Sequence, residues 1–255
     1  MKIYIACASL DGIEYMIPNS DLLIAYPYIK KCDSNMSLIS KTRNFILDSG
    51  VFTMINSGKR FDIDKYVDEY AEFIREYKIN QYVEMDVDQI YGVEKTRKLR
   101  ERIENRVGWQ SIPVWHTIRG KESFEEDCRE YNYVALGYFL TEGLPSQLTI
   151  KYAKAFVKRA HELNCRIHGL GFTRTTLLDK IPFDSVDSST WSISKRYGNV
   201  SKYDPKRHII QMMPKPAGMR MKDGAYIRMG QYSFREWRKY QDWAYDSLPP
   251  IWPEL

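Results

Sequence analysis

Apolar and polar positions alternate along the chain in two distinct rhythms. Short, nearly continuous apolar runs are found in "KIYIACA" (Lys2–Ala8), "FILD" (Phe45–Asp48), "QYVEMDVD" (Gln81–Asp88), "IPVWHT", "YVALG", "CRIHGLG" and "FDSVDSS". Runs of this length rich in Ile, Val and Tyr predict buried strands. A last strand is expected in "HIIQM". Between the strands the rhythm changes to 3.6. Ile63, Tyr66, Val67, Tyr70, Phe73, Ile74 and Tyr77 fall on one helical face, with acids on the other. "GVEKTRKLRERIEN", "SQLTIKYAKAFVKRAHELN" and "TRTTLLDKI" also predict helices. Strands alternating with helices predict a parallel α/β protein. Seven or eight such units in 255 residues fit a (β/α)₈ TIM-type barrel with a basic C-terminal extension better than a doubly wound sheet. No internal repeat suggests a second domain, so residues 1–255 read as one barrel domain.

In such barrels chemistry gathers at the carboxyl ends of the strands. The expected ends carry Asp48, Asp86 with Asp88, His116, Gly137, Gly169 with Gly171, and Asp184 with Asp187. An Asp at a strand end often only caps the following helix. Several converging carboxylates are another matter, because mutual repulsion and desolvation oppose them unless a cation or a reaction uses them. His116 reads more simply as a strand-end histidine bonded to backbone, His168 as a side chain lining the pocket, and Trp191 as packing.

Composition narrows the class. The chain is 44% hydrophobic, with 19 Tyr and 6 Trp, enough for a large core. No apolar run reaches the roughly 18 residues of a membrane span, and the first residues lack a signal-peptide pattern. Cys7, Cys32, Cys128 and Cys165 are scattered without metal-ligand spacing, which predicts reduced thiols, a cytoplasmic location and no metal site. The net charge of +5 is concentrated in residues 192–239, which hold twelve Lys and Arg against three Asp and Glu. Tyr197, Tyr203, Tyr226, Tyr232, Phe234 and Trp237 are interleaved with them. Solvated lysines would account for this segment, and so would a nucleic-acid grip in which cations meet phosphates and rings accept bases. Under the second reading Lys195, Arg196, Lys202, Lys206 and Arg207 contact phosphates.

"LDSGVF" (Leu47–Phe52) resembles the "TDSGGFQ" strand end of the tRNA-guanine transglycosylases, and "HGLGFTRTTLLDKIPFDSVDSSTW" resembles the later block of that family, which ends in "DMFDCVMPTR". The similarity runs from about residue 40 to 195, with only these two blocks specific. It implies base exchange through a covalent intermediate. Two registers are open for the nucleophile: the spacing of the two acids selects Asp187, whereas matching "FDSV" to "FDCV" letter by letter selects Asp184. Asp187 is preferred because it lies at the strand's end. The resemblance further implies Asp48 as general acid/base, Phe52 as the ring stacking on the base, and Asp86 or Asp88 as the acceptor for the base edge. The Gly137 backbone would approach that edge closely, and no cofactor is implied.

The family's zinc site of three Cys and a His has no counterpart here, and "SSTWSISKR" replaces "MPTR". Both departures favour the similar short proteins encoded by phages, the DNA 7-deazaguanine transglycosylases, which act in the host cytoplasm. The implied partners are then DNA rather than tRNA and a 7-deazaguanine-type base as co-substrate. A homodimer is left open. The alternatives are a DNA glycosylase that hydrolyses the same intermediate, a tRNA-guanine transglycosylase, and a catalytically silent nucleic-acid binder.

Overall fold

The computed structural model describes residues 1–30, 33–56, 62–137, 145–192, 198–214 and 224–248. Seven parallel strands form the central sheet: β1 (Lys2–Cys7), β2 (Asp21–Ala25), β3 (Asn44–Asp48), β4 (Val114–Trp115), β5 (Tyr133–Leu136), β6 (Arg166–Gly169) and β7 (Ser185–Ser188). Their order is β3-β2-β1-β7-β6-β5-β4. The sheet is curled. β3 and β4 lie at opposite ends of that order, yet Ile46 and Val114 share one buried cluster with Tyr4, Leu23, Val83, Ile112, Tyr133 and Ala135. A flat sheet would hold them many strand spacings apart. Between the two ends, Tyr82 bridges to Leu47 and Val83 bridges to Ile112, both in parallel sense.

A much larger cluster fills the layer between the sheet's outer face and the helices. Helices α1 (Ile63–Glu76), α2 (Val93–Val107), α3 (Gly120–Glu130) and α4 (Ser146–Glu162) supply its outer wall. The apolar stripe predicted for α1 is the buried one: Tyr66, Val67, Tyr70, Phe73 and Ile74 face inward. Asp62 caps this helix, accepting from the Asp64 and Lys65 amides at 3.0 and 3.2 Å.

The structure departs from the expected elements in four places. "DLLIA" forms β2, a strand that was not anticipated, and it runs directly into the short helix "YPYI". "HIIQM" does not join the parallel sheet; it falls in β9 (Ile209–Pro214), paired antiparallel with β8 (Asn199–Asp204). The long strand expected at Gln81–Asp88 shrinks to the two bridging residues, and "TRTTLLDKI" holds only a single 3₁₀ turn at Leu178–Lys180.

The last helix, α5 (Ala225–Ser247), packs against β1 and sets the direction of the hairpin. Near its start, Gln231 donates to the Gly12 carbonyl, in the connection leaving the carboxyl end of β1. Near its end, the Gln241 amide bonds the backbone of Ile3 and Asp21, and Asp242 pairs with Arg43 just before β3. The helix therefore runs from the carboxyl face of the sheet to its amino face. The hairpin rides along it: the Ser201 amide donates to Ser233, the Tyr203 amide donates to Glu236, and His208 stacks on Trp243 with ring centres 4.2 Å apart. The hairpin turn accordingly lies at the amino face. Among the described residues no helix is long and apolar enough to cross a membrane.

Candidate active site

Strand parity builds the site. Side chains two residues apart share a face, so the positions that follow the enclosed cluster on each strand rise to one rim. Ile46 is followed by Asp48, Val114 by His116, and Ala135 by Gly137; on β7 the buried Ser185, bonded to Tyr133 of that cluster, is followed by Asp187. All lie at the carboxyl ends of their strands.

Asp48 is held by the turn that follows it. The Gly50 amide donates to its Oδ2 at 3.2 Å. Gly50 has φ +65°, and a Cβ there would lie 2.4 Å from Pro27 Cδ, so only glycine fits. The Tyr66 hydroxyl donates to the Ser49 carbonyl at 2.6 Å, and Tyr70 donates to the carbonyls of Leu47 and Val83 at 3.2 and 2.9 Å. Two buried tyrosines of α1 thereby pin the strand end from behind. Burial, then the charges of Asp187 and Asp86, push the Asp48 carboxyl up from 3.8 to about 7; the Gly50 and Ser49 amides oppose this. Three of the anticipated carboxylates thus lie near enough to one another at this rim to repel.

Asp187 is anchored through one oxygen. Its Oδ1 accepts from the Gly171 amide at 2.6 Å and lies 3.2 Å from His168 Nε2. Asp184 occupies the opposite end of the strand. Its Oδ2 accepts from the Ile167 amide at 2.7 Å and pairs with His161 Nε2 at 2.8 Å, and its carbonyl receives the Lys2 amide. Only Asp187 faces the rim where Asp48 stands.

Asp86 and Asp88 have different surroundings. Arg119 grips Asp88 at both oxygens, 2.5 and 3.1 Å, and also reaches Glu84 at 2.8 Å. Arg100 and Asp127 complete this buried cluster, in which burial pushes Glu84 up to about 7 against the pull of both arginines. Asp88 is thus committed to the interior, a correction to its expected role at a base edge. Asp86 instead pairs with His116, Oδ1 to Nε2 at 2.7 Å. Burial disfavours the His116 imidazolium, but the hydrogen bond and charge of Asp86, with Asp88 behind it, outweigh that and raise its pKa. His116 is therefore not bonded to backbone as anticipated. Nor is the Gly137 backbone open to a ligand: a Cβ there would lie 2.3 Å from two atoms of the His116 ring, so the ring covers this glycine.

His168, expected to line the pocket, is buried inside the curl of the sheet between Tyr4 and Tyr133, and Trp191 is buried, its indole donating to the Ala6 carbonyl. The Phe52 side chain, Lys195 and Arg196 lie outside the described residues. Lys202 is exposed on β8, and Lys206 and Arg207 are exposed in the hairpin turn. Their turn lies at the amino face, so phosphate contacts expected of these two would be made away from the acidic rim. The His116–Asp86 pair and the Ser185 hydroxyl below Asp187 were missed; the signal that could have found them was the same parity, Val114/His116 and Ser185/Asp187. Among the described residues no group of three or more His, Cys, Asp or Glu is placed to hold a metal ion.

No protein-family model and no curated protein sequence matches the chain. Among solved structures, a Coccidioides immitis protein provisionally named fructose-1,6-biphosphate aldolase superimposes with a TM-score of 0.56 at 12% identity, covering 96% of this chain and 88% of that one. At that identity the likeness is one of fold. The chain has a TIM-barrel-like α/β fold.

Proposed function

We propose that the chain is a base-exchange enzyme that breaks the N-glycosidic bond of a guanosine or deoxyguanosine in nucleic acid and inserts a 7-deazaguanine derivative. DNA is the favoured substrate. In this reading Tyr82 and Val83 supply the eighth stave that closes a barrel, and the open end of that barrel receives a base flipped out of its stack.

The observation that carries the reading is a pair of carboxyl groups in contrasting settings on one rim: Asp48, its pKa raised to about 7 in part by the charge of Asp187, and Asp187, anchored through one oxygen. A carboxylate oxygen of Asp187 bonds to C1′ as the bond from C1′ to the base nitrogen breaks, and that electron pair leaves with the base. The Asp48 carboxyl donates the proton the departing base requires. Asp48, now a carboxylate, then takes the N–H proton of the incoming base, whose nitrogen displaces Asp187 from C1′. Asp86 accepts from the N–H groups of the base edge, and His116, held by Asp86, offers its remaining ring nitrogen. Phosphate contacts fall to Lys195 and Arg196, which follow the helical turn at the carboxyl end of β7 in sequence, and to Lys202.

The test is trapping. Wild type incubated with guanine-containing DNA should form a denaturation-resistant adduct, absent in Asp187→Asn and retained in Asp184→Asn. Incorporation of added 7-deazaguanine makes the protein a transferase, base release alone makes it a glycosylase, and full turnover by Asp187→Asn refutes the assignment. If only folded tRNA yields the adduct, the DNA reading fails.

A further inference from the structure

Beneath Asp187 a line of buried polar groups descends into the curled sheet, and the rim chemistry does not use it. Ser185 Oγ bonds the Tyr133 hydroxyl on one side and lies 2.5 Å from His168 Nδ1 on the other. His168 Nε2 then lies 3.2 Å from Asp187 Oδ1. The His168 ring sits edge-on between Tyr4 and Tyr133, 6.0 and 6.2 Å from their centres. His168 and Ser185 are each 1% exposed.

Buried polar hydrogens need acceptors, so the line has a preferred direction. Among the described residues the Tyr133 hydroxyl has no hydrogen-bond partner other than Ser185 Oγ, so its proton goes there. Burial also pushes the phenol pKa up, which keeps that proton in place. Ser185 Oγ therefore accepts from Tyr133 and donates to His168 Nδ1. With Nδ1 accepting, the ring's one proton lies on Nε2 and points at Asp187 Oδ1. The opposite tautomer would leave one of the two hydroxyl protons of the Ser185–Tyr133 pair without an acceptor and set the Nε2 lone pair against a carboxylate oxygen. An imidazolium would likewise leave one hydroxyl proton without an acceptor.

We propose that His168 is a positioning residue for Asp187: a neutral Nε2–H tautomer, locked by Ser185 and Tyr133, that together with the Gly171 amide ties down Oδ1 and leaves Oδ2 as the oxygen that forms the bond. Its kinetic consequence rests on the base-exchange reading; the locked tautomer does not. His168 acts through Asp187 and never touches the substrate. With both donors on Oδ1, the carboxylate plane is fixed against rotation, and misplacement of such a group by about 1 Å costs on the order of 100-fold in rate.

Two measurements test this. Long-range ¹H–¹⁵N correlation on wild type at neutral pH should show His168 as the Nε2–H tautomer. Asp187→Asn should shift the Nε2 resonance, and Ser185→Ala should let the tautomers mix. No substrate is needed for this arm. In the kinetic arm, His168→Leu should lower kcat about 100-fold with KM unchanged, whereas His168→Gln, which keeps a donor at that reach, should stay within about tenfold of wild type. An Nδ1–H tautomer or an imidazolium in wild type overturns the proposal, as does a His168→Leu protein with wild-type kcat. If wild type releases no base while the resonances show the Nε2–H tautomer coupled to Asp187, the functional reading fails and the positioning role stands.

Discussion

Replacing Asp48 by asparagine should make the protein more stable above neutral pH while abolishing its turnover. The carboxyl titrates at about 7 in the folded chain against 3.8 as its unperturbed value. A group with a raised folded pKa contributes stability that is fully present below the unfolded value and is lost as pH rises through the folded one. Here that window runs from about pH 4 to pH 7. At pH 8 the linkage amounts to about 4 kcal/mol of destabilisation if the full shift applies, and at pH 5 to about 2 kcal/mol. Asn is nearly isosteric, has no charge to oppose Asp187 and Asp86, and retains an oxygen for the Gly50 amide. The gain from Asp48→Asn should therefore be larger at pH 8 than at pH 5, by about 2 kcal/mol. Urea denaturation of both proteins at the two pH values measures it directly, provided the m-values agree. Base release assayed on the same preparations should be lost, because an amide cannot shuttle the proton. A variant no more stable than wild type at pH 8, or equally stabilised at both pH values, would refute the clustering of the three carboxylates on which the mechanism depends.

Gly137→Ala places a methyl group where the His116 ring lies, 2.3 Å from two of its atoms. The ring must leave Asp86, so base affinity should fall about tenfold or more in a binding titration, while the melting temperature changes little. Arg119→Met removes the shared partner of Glu84 and Asp88, both fully enclosed. It should cost about 3–5 kcal/mol in denaturant unfolding, far more than loss of a surface pair. Charge reversal of Lys206 and Arg207 together should leave the salt dependence of DNA binding unchanged, because their turn lies at the amino face; a flattened slope in a salt titration would return the phosphate grip to them.

Much of the site was legible because strand parity is local. "LDSG" and "SVDSS" each place an acid at the end of a short apolar run, and the period of two directs it inward without reference to the rest of the chain. The acidic strand end "EMDVD" was equally visible, but its two acids were indistinguishable. Their roles separate only when Arg119, 31 residues beyond Asp88, folds back and takes one of them. The same holds for His116, whose partner Asp86 is 30 residues away.

Charge shows where this boundary falls. The sequence by itself determined the alternation of strands and helices, the buried face of α1, the acids at the strand ends and the basic excess in residues 192–239, since each depends on neighbours a few positions apart. Whether that basic excess meets the site was decided by α5, which runs from the carboxyl to the amino face and carries the hairpin's Lys206 and Arg207 away from the acidic rim. The identity of β2 and the shift of Asp48 to about 7 were decided in the same way. A pairing partner, a desolvated pocket and the direction of a helix are properties of distance in space, and the chain sets those distances only once the sheet has curled and the last helix has packed against it.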